Sequence, residues 1–458
     1  MFGLLVAGTA SGTGKTTLTL GLMAALERRG LRVQGFKVGP DFIDVGLHAR
    51  VTGRSSHNLD GWLLSEEEVR AIFTRHAAAA DVALVEGVMG LFDGLEGGSN
   101  RGSGAEIARW LNLPVLLVVD VSASVRSAAA TVLGFEVFDP DLRMAGVVFN
   151  RVGGERHAGW LRDAMAASCR SPILGMIPWE VAVRIPERYL GLLTADSGPL
   201  TPGRVRSLAD LVEAHLDVER LLGLSHLADV PLTPTARPPE RRSRCRIGIA
   251  RDEAFCFYYA ENLARLQAEG AELVPFSPLR DAGLPASLDG LYLGGGYPEL
   301  HAAALAGNAS MREDVRAHAA AGLPVYAECG GLMYLAEAIQ DADGCSHPMV
   351  GWFPTRAIFP AAGLTIHYAH VRIEEDCCLG PPGTVARGHE FHRSRMSPMP
   401  SSIQRVLAIA EAPGGSWRLE GYRRGSVLAT YVHQHFGSQP SMPVHFVEAC
   451  RAARGAPR

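Results

Sequence analysis

Short apolar runs at residues 4–8, 32–38, 82–86, 115–120, 146–150 and 173–177 alternate with longer stretches of helical periodicity. Apolar strands separated by helices predict a parallel sheet covered on both faces, so the first half reads as a doubly wound α/β domain. Around residues 227–244 the pattern dissolves into Pro231, Pro234, Pro238, Pro239 and a cluster of arginines, a composition suited to an exposed connector. The alternation resumes at 247–250, 273–276, 290–293 and 324–327, with a late strand at 427–430. Two α/β domains, 1–226 and 245–458, joined by a linker over 227–244, are therefore expected.

A length of 458 residues exceeds what one hydrophobic core usually holds, in agreement with that division. The net charge of -4 gives none of the basic excess that nucleic-acid binding requires, and no apolar run is long enough to span a bilayer. Residues 1–10 lack a basic leader and read as a first strand. The eight cysteines show no paired spacing, which fits a reducing cytoplasm. One bias changes the picture: of 44 basic residues only Lys15 and Lys37 are lysines. Where positive charge is otherwise written as arginine, a surviving ammonium marks a place that needs a compact charge.

Lys15 stands in a phosphate loop. An apolar strand runs into Gly8-Thr9-Ala10-Ser11-Gly12-Thr13-Gly14-Lys15-Thr16-Thr17 and then into a helix predicted over 17–29. Gly12, Thr13 and Gly14 let backbone N–H groups close around phosphate oxygens, Lys15 reaches the outer phosphates, Thr16 can ligate magnesium and Thr17 opens the helix. Thr9 stands where the strict pattern has its first glycine. Asp41 and Asp44 follow Lys37, while Glu86 and Asp93 lie in a second glycine-containing segment, at strand ends that face the ligand in doubly wound sheets. Carboxylates there can hold magnesium between the phosphates and a second substrate, and Lys37 can neutralise charge on a transferred phosphoryl group.

Pro324-Val325-Tyr326-Ala327-Glu328-Cys329-Gly330-Gly331-Leu332 reads as a strand, a sharp turn and a helix, the pattern of a nucleophile elbow at Cys329. The expected base is His433, with His435 as the alternative. Gly294, Gly295 and Gly296, together with Gly330, are candidate donors for a tetrahedral oxyanion. The pairs His367/His370 and His389/His392 lack the glutamate and second turn of a zinc-binding helix and are expected to be ordinary loop or interface histidines.

In chain order, Gly12 through Thr16, Gly39-Pro40-Asp41 with Asp44, the segment 85–94, Phe149-Asn150-Arg151-Val152, the segment 327–331, Arg387-Gly388-His389-Glu390-Phe391-His392 and Tyr431-Val432-His433 resemble the signatures of the cobyrinic acid a,c-diamide synthases, glutamine amidotransferases of the cobalamin pathway. The resemblance spans both domains. It implies a first domain like dethiobiotin synthetase, a class I glutaminase-like second domain, and amidation of the c and then the a acetate of a corrin-type macrocycle with ATP, magnesium and glutamine. It further implies that Asn150 contacts adenine, and that Asp41, Asp44, Glu86 and Asp93 handle magnesium and the activated carboxylate. His435 occupies the place of the glutamate in the usual glutaminase triad, an absence common in this family. The segment 364–370 departs from the Leu-Gly-Tyr-Arg stretch expected of it.

The expected chemistry is an acyl phosphate formed at the first domain and ammonia released by Cys329 and His433 at the second. Hydrogenobyrinic acid and nickel-sirohydrochlorin stay open as alternative macrocycles, and a homodimer as an oligomeric state. A regulatory P-loop ATPase with a non-catalytic second domain is the rival from another class.

Overall fold

A computed structural model describes residues 1–179, 200–227, 245–412 and 414–454. The chain divides into two compact units, Met1–Thr235 and Ala236–Arg458. From position 228 the expected linker lies outside the described residues.

In the first unit β1 (Phe2–Gly8), β2 (Val33–Val38), β3 (His57–Leu59), β4 (Val82–Glu86), β5 (Val115–Asp120), β6 (Met144–Val152) and β7 (Ile173–Pro178) form a seven-stranded sheet in the order β3-β2-β4-β1-β5-β6-β7. All its pairings are parallel. Helices α1 (Lys15–Arg28), α2 (Ile43–Thr52), α3 (Glu66–Ala77), α4 (Gly104–Trp110), α5 (Arg126–Phe138), α6 (Glu155–Ser168), α7 (Pro202–His215) and α8 (Val218–Leu224) accompany it. The central strands β4 and β1 are buried almost throughout, as a sheet covered on both faces requires. The helix after the phosphate loop, α1, buries Leu18, Leu20, Leu22, Met23 and Leu26 around its circumference, so it is an interior helix rather than an amphipathic surface one. After β1 the chain leaves to one side through β2 and β3, returns to β4 beside β1, and continues on the other side from β5. The carboxyl ends of β1, β2 and β4 thereby come together at the crevice where ligands bind in this class of fold.

In the second unit β8 (Cys245–Ala250), α9 (Ala260–Ala268), β9 (Ala271–Phe276), β10 (Gly290–Leu293), α10 (Ala302–Gly307), α11 (Ala309–Ala320), β11 (Val325–Glu328) and α12 (Gly330–Leu335) come first. Then follow β12 (Ala336–Gln340), β13 (Ser346–Pro348), β14 (Phe353–Ile358), β15 (Thr365–Ile373), β16 (Val385–His392), β17 (Arg395–Met396), β18 (Gln404–Ala412), β19 (Arg418–Arg424), β20 (Val427–Thr430), β21 (His433–Gln434) and α13 (Ser441–Arg454). Ten strands make one sheet, β21-β16-β15-β18-β19-β20-β11-β10-β8-β9. The part from β20 to β9 is parallel, and the rest is antiparallel. Apolar periodicity in the sequence identified the parallel part; the antiparallel strands β15, β16, β18 and β19, and the short β3 of the first unit, are additions that the structure supplies.

Candidate functional site

The phosphate loop follows β1 and ends at Gly14, whose backbone is left-handed at φ 98°. A side chain there would collide with Asn150 Nδ2, 2.3 Å from the ideal Cβ position, so glycine answers both the turn and the close approach. Asn150 Nδ2 donates to Thr13 O at 2.9 Å and ties the loop to β6. Lys15 Nζ folds back to Ala10 O at 2.9 Å. Burial, reinforced by Lys37, lowers Lys15 to about 8.

Thr16 Oγ1 donates to Glu86 Oε1 at 2.6 Å, and Lys37 Nζ lies 3.0 Å from the same oxygen and 2.7 Å from Asp44 Oδ2. The other oxygen of Glu86 meets His48 Nε2 at 2.8 Å, and His48 Nδ1 meets Ser56 Oγ at 3.1 Å. Burial opposes charge on Lys37, Asp44 and Glu86. Asp44, Glu86 and Asp41 nevertheless hold Lys37 well above the usual lysine range. Lys37, His48 and Thr16 hold Glu86 well below the usual carboxylate range. Asp44 is raised by burial, Asp41 and Glu86 against the pull of Lys37. Asp41 Oδ1 accepts the N–H groups of Ile43 and Asp44 at 2.8 and 2.7 Å and so caps α2, while Asp93 Oδ2 accepts Gly90 N–H at 2.8 Å. Thr16, Lys37, Asp44 and Glu86 are thus in direct contact, whereas the hydrogen bonds of Asp41 and Asp93 hold their own loops.

Beside Gly14 and Thr17 opens a pocket walled by Leu18, Val118, Ile177 and Pro178, with Asn150, Arg151 and Trp179 at its side. The Arg151 guanidinium is 5.2 Å from the Trp179 ring centre, donates to Gly12 O at 3.1 Å, and pairs with Asp120. An apolar pocket with one amide at its edge thus opens next to the phosphate loop.

In the second unit Cys329 sits between β11 and α12 with φ 48°, a conformation rare for a residue with a side chain and typical of a nucleophile held on a strained turn. Its N–H is fixed by Thr430 O at 2.8 Å, and its Sγ lies 3.8 Å from Phe391 O. Burial, then the charge of Glu299, keeps the thiol far above its usual range. His433 is fully buried on β21, and a Cβ on Gly295 would stand 2.3 Å from its Cε1, so the glycine turn and the imidazole are in contact. Burial lowers His433 well below the ordinary histidine range. Its ring stacks on that of His389 with centres 5.1 Å apart, and His389 Nδ1 is 2.7 Å from Tyr259 OH.

Of the proposed oxyanion donors, Gly294 N–H is engaged by Tyr258 OH at 2.8 Å and Gly295 N–H by Phe257 O at 3.2 Å. Gly296 N instead lies 3.2 Å from where a Cβ on Gly330 would stand, and Gly330 N–H is directed at the Cys329 thiol. Gly330 N–H thus adjoins the nucleophile and Gly296 N lies next to Gly330, while the N–H groups of Gly294 and Gly295 are engaged elsewhere. His435 uses Nδ1 to accept Gly437 N–H at 3.0 Å and packs against Tyr259, which gives it a structural engagement of its own. The expected loop histidines are on strands: His389 faces His433, and His392 stacks on Tyr431 at 4.0 Å. His48 and Trp179 escaped the sequence reading, while Arg151 and His389 stood in its motifs without an assigned role. For His48 a signal existed, since the spacing from Asp44 puts both on one face of α2.

Residues 4–192 match the model of the CobQ/CobB/MinD/ParA nucleotide binding domain, and residues 246–441 that of the CobB/CobQ-like glutamine amidotransferase domain. A curated relative from Syntrophotalea carbinolica, named cobyrinate a,c-diamide synthase, is 49% identical over 464 residues, covering 98% of either chain. The chain belongs to the cobyrinate a,c-diamide synthase family. Two more members of that name, from Synechococcus and Salmonella typhimurium, are 43% and 40% identical and cover 99% and 98% of this chain and 100% and 98% of their own. In this cobyrinate a,c-diamide synthase family member each matched segment falls on one unit, and each holds one of the two sites.

Proposed function

We propose that the chain amidates the a and c acetate carboxylates of cobyrinic acid, using ATP to activate each carboxylate and glutamine to supply the nitrogen. The observation that carries this reading is the match to cobyrinate a,c-diamide synthases over nearly the whole chain, with a phosphate loop in one unit and an elbow cysteine in the other.

A carboxylate resists ammonia because oxide would have to leave, so γ-phosphoryl transfer must first make an acyl phosphate. The loop N–H groups and Lys15 hold the phosphates, and Lys37, charged in its carboxylate setting, stabilises the moving phosphoryl group. Adenine occupies the slot beside Asn150 and Trp179. The oxygen donors Thr16 and Glu86, already 2.6 Å apart, with Asp41 close by, form the hard ligand set that magnesium prefers. Thr16, Glu86 and Asp41 would hold magnesium there, and the ion would supply charge neutralisation to the phosphates. Asp44 and Asp93 face the substrate carboxylate in this reading.

At the second site burial favours the neutral forms of Cys329, a thiol, and His433, an unprotonated imidazole. Cys329 Sγ attacks the glutamine amide as its proton passes to His433, the amides of Gly296 and Gly330 receive the oxyanion, and the proton returns to the departing ammonia. Water then opens the thioester and releases glutamate. Use of ATP and the unpaired spacing of the cysteines support a cytoplasmic setting.

The test is mass spectrometry of cobyrinic acid incubated with the protein, ATP, magnesium and amide-labelled glutamine. Two successive amidations carrying the label are expected. Amidation of hydrogenobyrinic acid or nickel-sirohydrochlorin with cobyrinic acid untouched would reassign the macrocycle, and ATP hydrolysis without glutamine hydrolysis would favour a regulatory ATPase.

A further inference from the structure

Nucleophile and base stand on strands that do not pair with each other. Cys329 follows β11, whose neighbours are β10 and β20, while His433 lies on β21, whose ladder runs to β16. Backbone pairing alone therefore leaves the separation of sulfur and imidazole unset. His435, in the place of the acid of the usual triad, is engaged by Gly437 N–H and Tyr259.

Glu328 spans the two strands. It immediately precedes Cys329 and is 1% exposed, and its carboxyl reaches the residue immediately after the base: Oε1 accepts Gln434 N–H at 3.0 Å. Residues 326 and 328 share a face of β11, and Tyr326 OH donates to the same oxygen at 2.5 Å while accepting from Gln434 Nε2 at 3.1 Å. Tyr292 OH, from β10, donates to Oε2 at 2.9 Å. Two tyrosines thus fix the direction of the carboxyl, and one hydrogen bond closes a short circuit from Cys329 through Glu328 and Gln434 to His433. On the other flank of His433, Glu420 Oε1 accepts Tyr431 N–H at 2.8 Å.

We propose that Glu328 is a positioning residue of the ammonia-releasing site, a tether that sets the separation of the Cys329 thiol and the His433 imidazole where the usual triad acid is missing. The proposal rests on the glutaminase reading given above. Glu328 acts through Gln434 and not on the reacting atoms. Burial raises its carboxyl to about 7 against these donors, but either protonation state keeps an oxygen that can accept the Gln434 N–H. The tether therefore needs reach and not charge. Its loss leaves β21 on its ladder to β16 and on the bond from Asn262 Nδ2 to Gln434 O at 2.7 Å, so the strand persists while the base drifts.

The experiment separates reach from charge with two variants of the full chain. Glu328→Asp keeps the carboxyl but draws it back by one methylene, and kcat for glutamine hydrolysis should fall by about 100-fold, the scale of a catalytic group displaced by an ångström. Glu328→Gln keeps the length and one acceptor oxygen, and kcat should stay within about tenfold of the unaltered protein, the scale of one altered hydrogen bond. KM for glutamine and amidation from ammonium salt should be unchanged in both, a split that general loosening of the fold would not produce. Wild-type kcat in Glu328→Asp, a raised KM with kcat intact, or Glu328→Gln as slow as Glu328→Asp each overturns the assignment. If Glu328→Asp fails to fold, Glu328→Gln decides: a kcat within tenfold upholds the tether, and a deeper loss overturns it. No glutamine hydrolysis by the unaltered protein would instead remove the glutaminase reading, and the proposal with it.

Discussion

Lys15 and Lys37 share one electrostatic cluster and shift in opposite directions, which gives them different duties. Lys37 is locked between Asp44 and Glu86 and keeps its charge at any working pH. Lys15, lowered to about 8 by burial and by Lys37, titrates in the mildly alkaline range, with Glu86, Asp44 and Asp93 opposing the shift. Phosphate binds the charged form. The free protein therefore needs no proton to bind nucleotide at pH 7, but must take one up above pH 8, and affinity falls as pH rises. Calorimetry with a non-hydrolysable ATP analogue should show Kd weakening about tenfold between pH 7 and 9, with proton uptake that depends on the buffer. A flat Kd over that range would mean that Lys15 stays charged without phosphate. Residues such as Lys15, Thr16 and Cys329 were legible because their settings are local, a glycine loop before a helix and a cysteine before a glycine turn. His48 was less so, because beyond its spacing from Asp44 what singles it out is a partner from another strand, Glu86.

Among elements, the turn after β10 lies against His433, the proposed base. The space beside Gly295 is already filled by the His433 ring, so a methyl group there must push the imidazole away. Gly295→Ala should lower glutamine hydrolysis by about 100-fold, the scale for a displaced catalytic group, while amidation from added ammonia persists. Glutamine turnover near the wild-type rate would show that the ring is free to shift without loss. The parallel strands announced themselves through continuous apolar runs, as in Val115–Asp120. The antiparallel β15 and β16 did not. Their polar positions, among them Glu390 and His389, are themselves buried around the site, so the alternation of apolar core and polar solvent face is blurred.

At the scale of the molecule, the two chemistries belong to separate compact units, each with its own cores. Cys329→Ala should therefore abolish glutamine-dependent amidation but leave synthesis from ammonium salt at mildly alkaline pH, where free ammonia can attack the acyl phosphate. Loss of both would mean that the cysteine also supports the fold, and retained use of glutamine would exclude it as nucleophile. The division into two α/β halves was visible from the break in apolar alternation, but the closing of the second sheet was not, because it depends on strands far apart in sequence. The strand that flanks β11 on one side is β20, and His433, the proposed base, follows after Tyr431 and Val432 on β21, which pairs with β16. Both arrive only with residues beyond 426. A ribosome that stalls before that point releases a chain with its cysteine and glycine turn but without the base, mute toward glutamine rather than leaking ammonia. During synthesis, the machinery that consumes nitrogen is in place before the machinery that liberates it.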